Sequence, residues 1–299
     1  MVAFVVPFLD AAARQLIQPA GEASTDFSQP AGEAALIPAD SVSWRIFKNP
    51  VALFVGGVTA VILEFAEPAV RSGVWDHSSF RSDPVGRLRR TGLAAMTTVY
   101  GARSTAEQMI AAVRLMHARV RGTTPAGEAY RANDPRLLRW VHATAAFGFI
   151  EAYSRYVGAL SPEERDRCYR EGAPAARLYG ALDVPRSEEE VQALFVSMRT
   201  RLEPSPILFE FLDIMRRTPV FPGALRPLQR LMVRAAVQAT PGWIRKQLGL
   251  GRSQGLRLGQ AAIVRRAGTM ADRIILPSSP AVQACRRLGL PEDYLYRGA

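Results

Sequence analysis

Thirteen consecutive uncharged residues, Val51 to Leu63, set the first constraint on this chain. They follow Asn49-Pro50 and stop at Glu64. A capping side chain followed by proline at the first helical position is a helix start. The run is too short to cross a bilayer, which takes roughly 20 residues. It reads instead as a buried central helix around which the others pack. Gly56 and Gly57 lie inside it, and each costs about 1 kcal/mol of helix propensity. The expected compensation is close approach of another helix or of a flat ligand.

The same punctuation recurs downstream. Asp83-Pro84, Asn133-Asp134-Pro135, Ser161-Pro162 and Ser187-Glu188 each combine a cap with proline or early acids, as helix N-termini favour. Helices are expected over about 84–100 and 103–121, then from 135, from 162 and through about 198. Further candidates are 206–215, 225–238, 241–248, 256–275 and 279–288. Residues 2–17 can form a short helix from Pro7 onward, whereas 18–41 read as a linker or loose arm. Order is expected to begin near Ser43-Trp44, and Val74 to Phe80 reads as a loop. No stretch alternates like a strand, so the fold class is all-α, a single domain of roughly ten helices. Its parts are an arm over 1–43, a main domain over 44–250 and a basic helical extension over 251–299 packed on the same domain.

Charge is concentrated at one end. Residues 1–215 carry 23 basic and 24 acidic residues, and residues 216–299 carry 15 and 3. Such a region can meet nucleic acid, anionic lipid or an acidic partner, or can simply be a solvated surface. Cys168 and Cys285 fit no metal or redox spacing, and the lack of CxxCH excludes covalent haem attachment. Two lone cysteines suit a reducing compartment. The N-terminus lacks a basic segment and meets Asp10 early, a poor signal peptide, so the expected location is cytoplasmic.

Chemistry has few places to sit. There is no glycine-rich phosphate loop, no HExxH and no GxSxG. The only histidines are His77, His117 and His142. His117 is expected mid-helix, with Val113 and Val120 beside it and Arg114 and Arg121 one turn away on either side. That arrangement suits an axial haem ligand whose propionates pair with arginines, and equally suits a core histidine. Arg87, Arg90 and Thr91 share a helix face that could gather an anion or bound oxygen, or be an exposed basic face.

Four pieces, taken together, resemble the MpaB-type and latex-clearing-protein (rubber oxygenase) family of haem-b oxygenases. They are Glu67-Pro68-Ala69-Val70-Arg71-Ser72-Gly73-Val74, then His77-Ser78-Ser79-Phe80, then Arg87-x-x-Arg90-Thr91 with Val99-Tyr100-Gly101. The fourth is Val113-Arg114-Leu115-Met116-His117-Ala118-x-Val120-Arg121, with Gly127 and Tyr130 after it. Trp140-Val141-His142-Ala143-Thr144 continues the pattern, and the likeness covers about Asn49 to Leu250.

The resemblance implies that His117 is the proximal ligand of haem b and that Arg87 and Thr91 line its pocket. Arg90 stands where the latex-clearing branch has a lysine, and a guanidinium that stays protonated is a poor iron ligand. Glu67 replaces a histidine found in many relatives, and serves either as acid or base or as partner of a pocket arginine. His77 either faces the distal side or bonds within its own loop. His142 reads as a packing or supporting residue. The implied function is oxidation of an apolar, lipid- or isoprenoid-like molecule with O2, drawing on an electron donor. Residues 216–299 would rest on an anionic membrane surface, and nucleic acid is the disfavoured partner. The alternatives are a haem carrier or sensor without turnover, and a peripheral lipid-binding protein without haem.

Overall fold

The computed structural model describes residues 25–297 and the backbone of one strand, β1 (Phe4–Val5). The helix expected from Pro7 onward lies outside the described residues. In chain order come α1 (Val42–Phe47), α2 (Pro50–Glu64), α3 (Pro68–His77), α4 (Pro84–Tyr100) and α5 (Arg103–His117). The strands β2 (Arg121–Thr123) and β3 (Ala129–Arg131) follow, then α6 (Pro135–Tyr156), α7 (Pro162–Tyr179), α8 (Glu188–Ser197) and α9 (Pro206–Arg217). The chain continues with α10 (Arg226–Ala239), α11 (Gly242–Gln247), α12 (Gln260–Ala271), β4 (Ile274–Ile275) and α13 (Pro280–Arg287). The fold is all-α, as expected, with thirteen α-helices among the described residues where roughly ten were expected. The excess is mostly short helices such as α1 and α3, whose few turns carry little periodic signal.

The uncharged run is the core helix α2. Asn49 caps it by accepting from the amides of Val51 and Ala52. Its own amide group donates to Gly268 O at 3.0 Å and Asp272 Oδ1 at 3.1 Å, so the cap also anchors α12. The glycine pair divides its work. A Cβ on Gly56 would lie 2.6 Å from the Phe149 ring, and one on Gly148 would lie 2.5 Å from Gly56 O. Glycine on both helices thus lets α2 and α6 cross in backbone contact. A Cβ on Gly57 would meet nothing within 4 Å, although the residue is half-buried.

These two glycines should respond oppositely to the same change. Gly148→Ala is expected to lower stability by about 1–3 kcal/mol through overpacking. Gly57→Ala is expected to raise it by up to about 1 kcal/mol through helix propensity. Thermal melts of the two variants check the contrast, and an unchanged Gly148→Ala melt would contradict the crossing.

The arm is packed where it is described. Phe27, Leu36 and Ile37 are buried with Trp44, Tyr100, Ile110 and Cys285. Buried Arg287 donates Nε to Glu33 O and its two terminal nitrogens to Phe27 O and Tyr100 O. Order therefore begins well before Ser43. Composition signalled irregular backbone correctly, but it cannot show an arginine 260 residues away gathering that backbone. The helix expected over 256–275 is shorter, α12 giving way to β4, which pairs in parallel with β1. No single helix among the described residues is long and apolar enough to cross a membrane. Only α2 and α3 together pass such a test, and they are bent by 114° with α2 mostly buried.

Candidate functional site

A tight helical hairpin brings the two motif helices together. α4 ends at Tyr100 and α5 begins at Arg103, and the two pack against each other. Arg87 lies thirteen residues before the end of α4, and His117 fourteen residues after the start of α5. At 1.5 Å per residue both are roughly 20 Å from the turn, so they sit level with one another. Thr91 falls level with Val113 by the same count.

The electrostatics follow this arrangement. Burial holds the His117 imidazole below its ordinary pKa, and the positive charge of Arg87 adds to the effect. Position at a helix C-terminus would favour the cation, but desolvation and the nearby guanidinium prevail. His117 Nδ1 is buried and has no hydrogen-bond partner. A neutral imidazole with unused capacity is the form that binds a metal. Burial also lowers the Arg87 pKa, opposed by Glu64 and assisted by Arg90.

Glu64 is the residue that the sequence reading missed. It ends α2, and α2, α4 and α5 bring it, Arg87 and His117 into one electrostatically coupled group. Crowding by protein atoms pushes its carboxyl up to about 7, with Arg87 pulling the other way. The available signal was a carboxylate closing a thirteen-residue uncharged run, which here served only to mark the end of the helix. Because the folded-state pKa is raised, native Glu64 holds its proton where the unfolded chain has lost it. Native stability is therefore expected to fall as pH rises from about 4.5 to about 7. Glu64→Gln should remove that loss: its melt should match wild type near the acid end and exceed it above neutrality. A wild-type melt with the same pH slope as the variant would refute the assignment.

Thr91 stays close to Arg87. Its hydroxyl donates to Arg87 O at 2.9 Å and accepts from the Arg87 guanidinium. Arg90 does not join them. It turns to Ser79 Oγ at 2.7 Å and Asp83 Oδ2 at 3.6 Å, because the loop before α4 supplies a hydroxyl and a carboxylate on that side. The expected common face of Arg87, Arg90 and Thr91 is thus split.

His117 is the last residue of α5, not a mid-helix one. The chain leaves the helix at Ala118, and Arg121 begins the exposed hairpin β2–β3, opposite Arg131. The helical spacing assumed between His117 and Arg121 therefore does not apply. Arg114 is exposed, its Nε near Gly180 at the end of α7. The stretch read as a loop is helical as far as His77, since Glu67 accepts from Val70 N and Pro68 starts α3. His77 is exposed at the end of α3, edge-on to the Tyr130 ring at 6.3 Å.

Glu67 is fully buried and its oxygens are occupied. Beyond the cap bond, Oε1 meets Arg201 at 3.0 Å and Arg136 at 3.2 Å. Glu128 bridges the same two arginines. The pairing alternative is the one observed, and Arg136 and Arg201 were not foreseen. His142 packs against Gly172, burial taking its pKa down to about 4, and its Nε2 has no partner.

Half-buried apolar residues lie on the same helices: Val113 and Met109 on α5, and Val61 and Phe54 on α2, the Phe54 ring 5.3 Å from that of Phe221. Tyr179 Oη lies 3.1 Å from Thr98 Oγ1 and donates to Met109 Sδ, joining α4, α5 and α7. Among the described residues no three His, Cys, Asp or Glu side chains converge as a metal cage.

The fold and this group define an all-α protein whose candidate site pairs a single unpartnered histidine with an arginine and a carboxyl group. The family described as "ER-bound oxygenase mpaB/B'/Rubber oxygenase, catalytic domain" matches residues 44–272, and the chain belongs to that family. The match takes in α12, beyond the Leu250 at which the sequence resemblance stopped. No curated protein and no solved structure matches the chain.

Proposed function

We propose that this protein is a haem-b-dependent oxygenase acting on an apolar, lipid- or isoprenoid-like substrate. The observation that carries the reading is His117: half-buried, neutral, without a partner at Nδ1, and level with Arg87. The residues present fit the cofactor. Open space beside Gly57 and half-buried apolar side chains on α2 and α5 suit a flat macrocycle. One imidazole suffices for a haem, whereas a protein-built metal cage needs several ligands.

His117 would hold the haem iron, with Arg114, three residues before it on α5, the arginine proposed for the propionates; Arg121, drawn into the hairpin, is not carried forward. Bound haem supplies redox-active iron for O2 chemistry, with electrons from a donor. The chain's own residues shape the surroundings. Arg87 places a fixed positive charge where negative charge develops, and Thr91 holds that guanidinium in place. Glu64, its carboxyl pushed up to about 7, is divided between its two forms near neutral pH and can give or take a proton at its oxygens. Phe54, Val61, Met109 and Val113 offer apolar surface to substrate and exclude water. Glu67 is assigned a structural role, and His77 and Arg90 stand outside the group. The basic C-terminal part would hold the protein against anionic lipid from the cytoplasmic side.

The test is the absorption spectrum of the purified protein. A Soret band that depends on His117 supports the reading. A protein that takes up no haem would instead point to a lipid-binding helical protein, and haem without turnover to a carrier or sensor.

A further inference from the structure

Between Asp213 and Asp272 the chain has no acidic residue, and eleven basic ones fall in that interval. Within it one short segment also exposes large apolar side chains. Leu258 is 106% exposed, Ile263 52% and Met270 50%. Leu258 sits on the loop leading into α12, just before Gly259, which takes φ 80° at the start of the helix. Ile263, Arg266 and Met270 fall at i, i+3 and i+7, on one face of α12. Arg252, Arg257 and Arg266 are exposed in the same stretch, and none has a carboxylate partner among the described residues, whereas Arg265 turns back to Arg155 O at 3.3 Å.

This outer face is not free to turn inward. Val264 is fully buried on the opposite side, and a Cβ on Gly268 would lie 2.1 Å from Tyr156 O. The Gly268 carbonyl also accepts from the buried cap Asn49. α12 is thereby held by backbone contact, with isoleucine and methionine facing water where a solvated helix carries polar residues.

We propose that Leu258, Ile263 and Met270, with the arginines around them, form a wedge that docks on a bilayer containing anionic lipid. The apolar side chains enter the boundary of the acyl region while the guanidiniums pair with phosphates above it. Charge complementarity selects an anionic partner, and three outward apolar side chains select one with an apolar layer beneath its charges. A nucleic acid surface offers no such layer. The wedge deepens the membrane-surface reading of the basic region and is independent of whether haem is bound.

Full-length protein is sedimented with vesicles of phosphatidylcholine alone and of phosphatidylcholine with phosphatidylserine. Wild type should bind the anionic vesicles and leave the neutral ones largely free. Leu258→Ser with Ile263→Ser should weaken that binding roughly tenfold with every charge retained. Arg257→Glu with Arg266→Glu should weaken it at least as much. All three proteins should share one melting temperature, since the substituted side chains face water. Undiminished binding by the serine variant overturns the wedge and leaves a purely electrostatic attachment standing. No binding by wild type overturns both. Competition by double-stranded DNA at matched salt, with no loss in the serine variant, overturns the lipid assignment.

Discussion

His117→Ala, purified beside wild type, is expected to lose the Soret band while keeping its fold. The imidazole is the one group in the site suited to ligate iron, and no second histidine stands ready to replace it. His77 is exposed at the end of α3, and His142 packs against Gly172. The fold should survive because Nδ1 of His117 makes no hydrogen bond that the substitution could break. The melting temperature of the cofactor-free protein should therefore move by no more than a typical surface change, about 0.5 kcal/mol. Added imidazole should restore part of the band by occupying the space left by the side chain. A Soret band of unchanged position and intensity in His117→Ala would end the ligand assignment. Arg87→Ala should instead keep the band and, in the cofactor-free protein, raise the His117 pKa, because it removes the cation that adds to the effect of burial.

Glu67→Ala is expected to be the most destabilising of the single substitutions considered. It strips one carboxylate from two arginines and from the first turn of α3. Breaking a buried pair by deleting one partner costs about 3–5 kcal/mol. Arg136 and Arg201 are partly exposed and Glu128 remains to them, which places the cost toward the lower end. A fall of roughly 10 °C in the melting temperature follows. Glu67→Gln, which keeps the cap acceptor and loses the charge, should fall between the two. Urea titration of the three proteins measures the order. A Glu67→Ala protein as stable as wild type would mean that the three-element junction contributes nothing. The result bears on the chemistry as well, since a carboxylate held by a cap and two guanidiniums is poorly placed to shuttle protons. Glu64, coupled to Arg87 alone, is the better candidate.

Much of this was legible in one dimension. The uncharged run with its Asn-Pro start was a core helix, and the caps at Asp83, Asp134, Ser161 and Ser187 opened helices at those points. These signals are local: a cap and its amides lie within four residues, so spacing alone reveals them. The order of the motifs also pointed to the family that matches residues 44–272. His117 and Arg87 were singled out because residue type and helix position are written in the chain.

Tertiary structure decided what those residues face. Periodicity extended α5 past His117, but the pairing of Arg121 with Arg131 across a hairpin drew the chain away there. Arg90 left the proposed face for Ser79 and Asp83, and Glu67 was claimed by Arg136 and Arg201, the latter 134 residues distant. Glu64 acquired its near-neutral pKa only when the folded chain buried the end of α2, with Arg87 of α4 pulling the other way. Helix identity comes from contacts a few residues apart, which a sequence displays. Charge state and partner choice come from desolvation and from groups far along the chain, which exist only once the helices have packed.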